Sequence, residues 1–423
     1  MNTIKMPSDW ISRRLKLVGI INMGQAPASD EVTEYRSDVN FAFLQGNAEF
    51  GILHPTPKHA CNSPRKIARA GDLLLSVRAP VGALNVADRD YGIGRGLCAI
   101  SWSDISPRFG WWALHHFRQQ LSEVATGSTY EAVAIEDVGN LRILVPPYEE
   151  QFRIADYLDT ETAQIDALVA EKERMLALLE EKRAVLISRA VTCGLDPDVP
   201  MKPSGLEWLG DIPVHWEVIR LKFLAEVRGG LTLGKNYNSS VLQEYSYLRV
   251  ANVQDGHIVL DDVRKISVPE SEARTCMLEK GDVLMNEGGD ADKLGRGCIW
   301  HGEIAPCLHQ NHVFSVRPLK VTPEWLDAWT STREAKRYFE SRAKQTTNLA
   351  SISGTNIKEF PVIMPPKDEQ IRILDFVVSE RARTAELEET LQRSIALIKE
   401  RRSALITAAV TGQLQIPDNQ SSQ

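Results

Sequence analysis

Several groups of residues in this sequence have types and spacings that could do chemistry. Gly229-Gly230-Leu231-Thr232-Leu233-Gly234-Lys235 has the glycine and lysine spacing of a loop that cradles phosphate oxygens with backbone N–H groups. Asn236 stands where a Ser or Thr would ligate magnesium, and the residues beyond it are polar rather than helical, so a basic loop or plain turn fits better. Gly92-Ile93-Gly94-Arg95-Gly96 is glycine-rich enough for a cofactor loop, yet it runs into the strand-like Leu97-Cys98-Ala99-Ile100 instead of opening a helix. Cys298, His301, Cys307, His309 and His312 lie close together, as zinc ligands do. Their spacing matches no common structural site, and side chains along a strand alternate faces. Neither an acidic cluster of nuclease type nor a nucleophilic triad stands out, so catalysis is not expected of this chain.

The elements that would position such residues come in two copies. VPPYEEQFRIADYLDTETAQIDALVAEKERMLALLEEKRAVLISRAVTCGL, from Val145, aligns without a gap on MPPKDEQIRILDFVVSERARTAELEETLQRSIALIKERRSALITAAVTGQL, from Met364. Roughly two positions in five are identical, well beyond chance at this length. The register extends backwards, pairing Val133 with Ile352 and Val138 with Ile357. A fainter echo opens each half: Pro7-Ser8-Asp9-Trp10 against Pro213-Val214-His215-Trp216, and Gly71-Asp72-Leu73-Leu74 against Gly281-Asp282-Val283-Leu284. Between these anchors the halves differ almost completely.

Each repeated segment predicts a long helix. Val145-Pro146-Pro147-Tyr148 resembles the Asn/Asp-Pro-Pro-Tyr loop of adenine methyltransferases, but Val cannot accept the required hydrogen bond, and the second copy has Met364 and Lys367. The prolines therefore start a helix, with Glu149-Glu150 and Asp368-Glu369 complementing its positive end. Gly194 and Gly412 supply the stop signals. Leu158, Ile165, Leu179 and Leu186 recur at heptad spacing with Val169 and Leu176 between them, and the second copy offers Val377, Leu391, Ile395, Ile398 and Leu405. Lys172, Arg183 and Arg402 fall in that seam, suggesting a specified register or a further partner. The plan is a globular segment over 1–145, a helix over 146–195, a linker and second globular segment over 196–363, a helix over 364–414 and a polar tail over 415–423. Strands are predicted at Tyr245–Val250, His257–Leu260 and Asp282–Met285, and amphipathic helices at Phe109–Glu123 and Pro323–Arg342.

Composition narrows the class without deciding it. No run of apolar residues approaches the length needed to cross a bilayer, the N-terminus carries no export signal, and the six cysteines form no CxxC pair. A cytoplasmic protein is expected. The net charge of −7 is awkward for a nucleic-acid binder, whose cations must neutralise phosphates. Residues 1–145 carry roughly fifteen Lys and Arg against fourteen Asp and Glu, and part of the acidic excess lies in the first helical segment.

PPYEEQ and PPKDEQ at the helix starts, AVTCGL and AVTGQL at their ends, and the linker MKPSGLEWLGDIPVHWEV, doubled in this order, resemble the specificity subunits of type I restriction-modification systems over nearly the whole chain. The resemblance implies an α+β protein in which two mixed α/β target-recognition domains alternate with two long helices. The helices pack as an antiparallel coiled coil with a pseudo-twofold internal repeat. It implies that each domain reads one half of a bipartite, asymmetric site in double-stranded DNA while the helices set the gap. It also implies two methyltransferase subunits docked on the helices and restriction (translocase-nuclease) subunits beyond them. No cofactor belongs to this chain on that reading; S-adenosylmethionine, ATP and Mg²⁺ belong to the partners. Because the chain is acidic, DNA binding should be weak and salt-sensitive alone and tighter in complex.

Base reading needs forked donors on loops that reach a groove. In the first domain the candidates are Gln45, Asn47, Arg78, Arg95, Ser128 and Tyr130; in the second they are Arg249, Asn252, Asn286, Lys293, Arg296, Gln310 and Asn311. The bland alternative for each is a polar group that holds a loop or only a phosphate. Two other readings stay open: a coiled-coil assembly protein whose variable domains bind proteins, and an enzyme using the phosphate-loop-like segment around Lys235.

Overall fold

The protein is described by a computed structural model covering residues 7–36, 41–121, 132–235, 237, 241–289, 294–295, 297–345 and 350–416. It divides into two units, one of residues 1–173 and 392–423, the other of residues 174–391. Each long helix is thus shared out between both units.

The helices run Tyr148–Cys193 and Lys367–Val410. Both begin directly behind a Pro-Pro pair. Gln151 Nε2 donates to the Pro146 carbonyl at 3.1 Å and Gln370 Nε2 to the Pro365 carbonyl at 2.8 Å, which ties each first turn to the strand before it. The repeated Trp and Glu now have a shared purpose. Trp10 Nε1 donates to Glu150 Oε2 at 3.0 Å, and Trp216 Nε1 to Glu369 Oε2 at the same distance. Both helices end at a glycine in the left-handed region, Gly194 at φ +82° and Gly412 at φ +73°, where a Cβ would be strained.

In the first unit the two helix segments run antiparallel: Asp166 pairs with Arg402 and Glu173 with Lys399. Ile154, Ala155 and Leu158 there share a core with Ile406, Ala409 and Val410. In the second unit Ile187, Ala190 and Val191 share a core with Ile373 and Val377, and Arg183 pairs with Glu388 at 3.3 Å. The seam residues Arg183 and Arg402 therefore set register by ion pairs between the helices.

Each unit repeats one sheet plan. The first has a four-stranded antiparallel sheet ordered Gly19–Met23, Leu97–Trp102, Leu73–Ser76, Leu84–Val86. Beside it is a five-stranded sheet with Ala42–Leu44 parallel to Tyr91–Ile93. The second unit has Ala225–Arg228, Val313–Pro318, Val283–Asn286 and Gly297–Ile299 in the matching order. Its second sheet places Gln243–Leu248 parallel to Cys307–His309. Their apolar faces are buried, with Leu73, Leu75, Cys98 and Ile100 in one core and Val283, Met285, Phe314 and Val316 in the other.

Three expected elements differ. The helix read over Pro323–Arg342 is two helices, Pro323–Thr330 and Arg333–Arg342, because the Thr332 side chain accepts from Ala335 N and caps a fresh start. The helix read from Phe109 begins earlier and spans Pro107–Phe117. The strand read over His257–Leu260 is a turn, closed by Gln254 N to the His257 carbonyl, with only an isolated bridge between Val253 and Ile258.

Candidate nucleic-acid interface

Parallel strands point their ends the same way, so the segments that follow them are delivered to one edge. In the first unit these are Gln45–Gly46 after Leu44 and Gly94-Arg95-Gly96 after Ile93. Gly94 N donates to the Leu44 carbonyl at 2.8 Å. A Cβ on Gly96 would lie 2.7 Å from the Gln45 carbonyl, so the glycines are there because backbone meets backbone. Val77 N donates to the Gly96 carbonyl at 2.9 Å and brings Arg78 to the same edge. Gln45, Arg78 and Arg95 are exposed together there, with Asn47 half-buried in the short turn Asn47–Glu49. Under them Glu49, 3% exposed, accepts from Gln45 N, Lys58 N and His59 Nδ1 at 3.1, 2.9 and 2.9 Å. The turn opens a surface cavity of about 430 Å³ whose lining includes Gln45, Asn47, Lys58 and His59.

The second unit builds the same edge from different residues. Gln310 N donates to the Leu248 carbonyl, Glu287 N to the His312 carbonyl and Ile352 N to the Glu287 carbonyl, at 2.9, 2.9 and 2.8 Å. The last matches Val133 N to the Val77 carbonyl at 2.9 Å. Gln45 thus corresponds to Arg249, Gly94 to Gln310, Arg95 to Asn311 and Gly96 to His312. Gln310 and Asn311 are half-exposed at this edge, and His312 Nδ1 lies 2.8 Å from Glu287 Oε2.

Three candidates of the second unit are engaged within the fold. Asn252 is 2% exposed; its Oδ1 accepts from Arg249 N, and its Nδ2 donates to the Val259 and Asp262 carbonyls. Asn286 is also 2% exposed and donates to the Val253 carbonyl at 2.9 Å. Arg249 donates to the Asp262 carboxylate at 2.6 Å and to its carbonyl at 3.1 Å. These side chains organise the 249–262 loop from within, whereas Gln310 and Asn311 are presented on the neighbouring turn between Cys307–His309 and Val313–Pro318. Ser128, Tyr130, Lys293 and Arg296 lie outside the described residues.

The motifs that suggested other chemistry have local explanations. Leu231 forms a bridge with Gln310, and a Cβ on Gly230 would meet the Gln310 carbonyl at 2.3 Å, so the phosphate-loop-like segment is a close-packed sheet edge. Lys235 pairs with Glu272 at 3.5 Å. His309 is fully buried, with Nδ1 2.7 Å from the Val313 carbonyl, and burial lowers its pKa. Burial pushes the Cys298 and Cys307 thiols up to about 12, and among the described residues no three His, Cys, Asp or Glu side chains are grouped to hold a metal ion.

Lys58 and His59 are residues the sequence alone did not single out. The polar run His54-Pro55-Thr56-Pro57-Lys58-His59 reads as a turn. Only the antiparallel pairing of His59 with Phe43 carries it to the edge.

The model of the type I restriction modification DNA specificity domain matches residues 7–176 and again 213–397. The chain belongs to that family. Among curated relatives, the EcoKI specificity subunit of Escherichia coli K12 is 26% identical over 98% of this chain and 91% of its own length. The putative MjaX specificity subunit of Methanocaldococcus jannaschii is 33% identical over 44% of each chain. A solved chain of a type I restriction-modification system matches the fold at TM-score 0.72 and 19% identity, covering 97% of this chain and 100% of its own. The HsdS subunit of Thermoanaerobacter tengcongensis matches at TM-score 0.52 and 19% identity, covering 98% and 99%. Membership of the specificity family, with its DNA specificity domain present twice, gives the chain a recognition role rather than a catalytic one. Among the described residues no helix is long and apolar enough to cross a membrane.

Proposed function

We propose that each unit reads one half of a bipartite DNA site through the loop edge described above, and that the long helices set the gap and carry two methyltransferase subunits. The observation that carries this reading is the repeated edge: one backbone framework, presenting Gln45, Arg78 and Arg95 in one unit and Gln310 and Asn311 in the other. Amide and guanidinium forks are the groups that read base edges in the major groove. Two edges with unlike side chains call for two unlike half-sites, so the complete site is asymmetric. S-adenosylmethionine, ATP and Mg²⁺ are assigned to the methyltransferase and restriction subunits, and the assembly acts in the cytoplasm.

The helices, 46 and 44 residues long, are each about 65 Å at 1.5 Å per residue, enough to span one to two turns of duplex. The net charge of −7 favours an assembly that gains its phosphate contacts from partner subunits, and it is also the feature that favours protein-binding variable domains. A genome-wide map of methylated adenine separates these readings. Cells with this gene and its methyltransferase partner should show a split motif that disappears when this gene alone is deleted. An unchanged map, with an active partner present, would leave protein binding as the better account.

A further inference from the structure

In the first unit the end of helix Pro107–Phe117 stands against the last part of the second long helix, and a polar cavity of about 230 Å³ opens between them. Its polar lining includes His115, Arg118, Gln119, Lys399, Arg402 and Ser403, all able to donate hydrogen bonds, and among the described residues no carboxylate. Lys399 and Arg402 have partners on the first long helix, Glu173 at 3.0 Å and Asp166 at 2.8 Å. Arg118 is half-buried and donates to the Gly82 carbonyl at 2.8 Å, with no carboxylate partner among the described residues. His115 Nε2 is buried without a hydrogen-bond partner. Burial, with Arg402 beside it, lowers the Arg118 pKa. Burial together with Arg118 and Arg402 pushes His115 down to about 3. Among the described residues the cavity therefore holds a cation without a counter-charge and an unused imidazole nitrogen, both costly to leave uncompensated.

The second unit fills the matching place differently. The repeat partners of Lys399, Ser403 and Thr407 are Glu180, Ala184 and Ser188. Ser188 Oγ donates to Glu334 Oε2 at 2.5 Å, and Arg333 pairs with Glu181 at 3.6 Å. Carboxylates balance that place, so the cationic cavity is not a requirement of the repeated fold.

We propose that the cavity of the first unit is a binding site for a phosphate group. The Arg118 guanidinium supplies a fork, His115 a further donor through the Nε2–H tautomer of its neutral ring, and Gln119 and Ser403 neutral donors. A free phosphate and a backbone phosphate of nucleic acid share this chemistry. The site does not depend on which bases, if any, the loop edges read.

The test is calorimetric titration of the full chain with inorganic phosphate, against sodium chloride at matched ionic strength. Saturable binding is expected, with Arg118→Gln weakening it at least tenfold. Ser403→Glu places a carboxylate in the cavity from an exposed helix position and should abolish binding, which keeps the test usable if Arg118→Gln fails to fold. A mixed-sequence duplex that displaces phosphate in a Ser403-dependent way identifies a backbone phosphate as the natural occupant; simultaneous binding of both identifies a free one. Absence of saturable binding in the unaltered chain, or binding in both variants as tight as in the unaltered chain, overturns the proposal.

Discussion

The two units share a hydrogen-bond framework and almost no surface. Leu44 and Leu248 accept from equivalent backbone groups, as do Gly96 and His312, yet one edge reads Gly-Arg-Gly and the other Gln-Asn-His. The first packs its loops so closely that side chains are excluded at the glycines, leaving Arg95 as the one side chain that segment presents beside Gln45 and Arg78. The second has room for three side chains, and its neighbouring loop is held by Asn252 and Asn286, which bond Arg249 N and the Val253 carbonyl. Position is set by backbone ladders and identity by side chains, so the side chains on the edge can change in either unit without refolding it.

The sharpest way to break this comparison lies at the starts of the equivalent strands Leu73–Ser76 and Val283–Asn286. Asp282 is 1% exposed and held by Arg317 Nε at 2.8 Å, Ser315 Oγ at 2.9 Å and Glu279 N at 3.0 Å. Its counterpart Asp72 accepts from Ser101 Oγ at 2.5 Å and Arg69 N at 2.7 Å. Asp282→Asn should cost about 2–4 kcal/mol, since it leaves the mostly buried Arg317 guanidinium with only the exposed Glu279 as counter-ion, whereas Asp72→Asn should cost about 1–2 kcal/mol. Hydrogen exchange resolved by unit measures both, and equal losses would erase the difference. Burial raises the Asp282 pKa, but the hydrogen bonds outweigh it and leave the group below its ordinary value. Its stabilisation is therefore present above about pH 4 and lost as pH falls through the folded value, so acid should loosen the second unit.

A smaller effect probes the edges. Arg95→Ala and Asn311→Ala occupy equivalent positions and should each weaken recognition of one half-site by about 1–3 kcal/mol, leaving the other intact. Methylation of a library of split sites by the assembled complex checks this; loss at both half-sites from one substitution would refute separate reading.

Helix ends give the next contrast. Gly412→Ala should cost about 1–2 kcal/mol and Gly194→Ala about 1 kcal/mol. Both have positive φ, but a Cβ at 412 would also meet Pro7 at 2.6 Å, against 3.2 Å to Glu369 at 194. Thermal unfolding gives the ranking. Smallest, Trp10→Phe and Trp216→Phe should each cost about 0.5–1.5 kcal/mol by removing the indole donor to a helix-start Glu. Urea unfolding of the two variants should give matching losses if the repeated contact is equivalent in both units.

The helices were legible because their signals are local. Pro-Pro starts, glycine stops and heptad spacing place Tyr148–Cys193 and Lys367–Val410 to within a few residues of the expected bounds. The edges were legible only in composition. Asn252 and Asn286 look as suitable for base reading as Gln310 and Asn311 until burial separates them. Lys58 gave no signal, because a pairing with a strand many residues earlier brings it to the loop edge.

By itself, the sequence determined the duplication, the two long helices with their starts and stops, and membership of the specificity family. Those rest on periodicity and on helix hydrogen bonds between residues four apart, which are written in neighbouring positions. Only the tertiary structure decided that Arg95 and Asn311 are counterparts and that Arg118 faces a cavity with no counter-ion among the described residues. Both follow from contacts between segments distant in sequence, where side-chain identity is free to vary and only the backbone bonds are held in common.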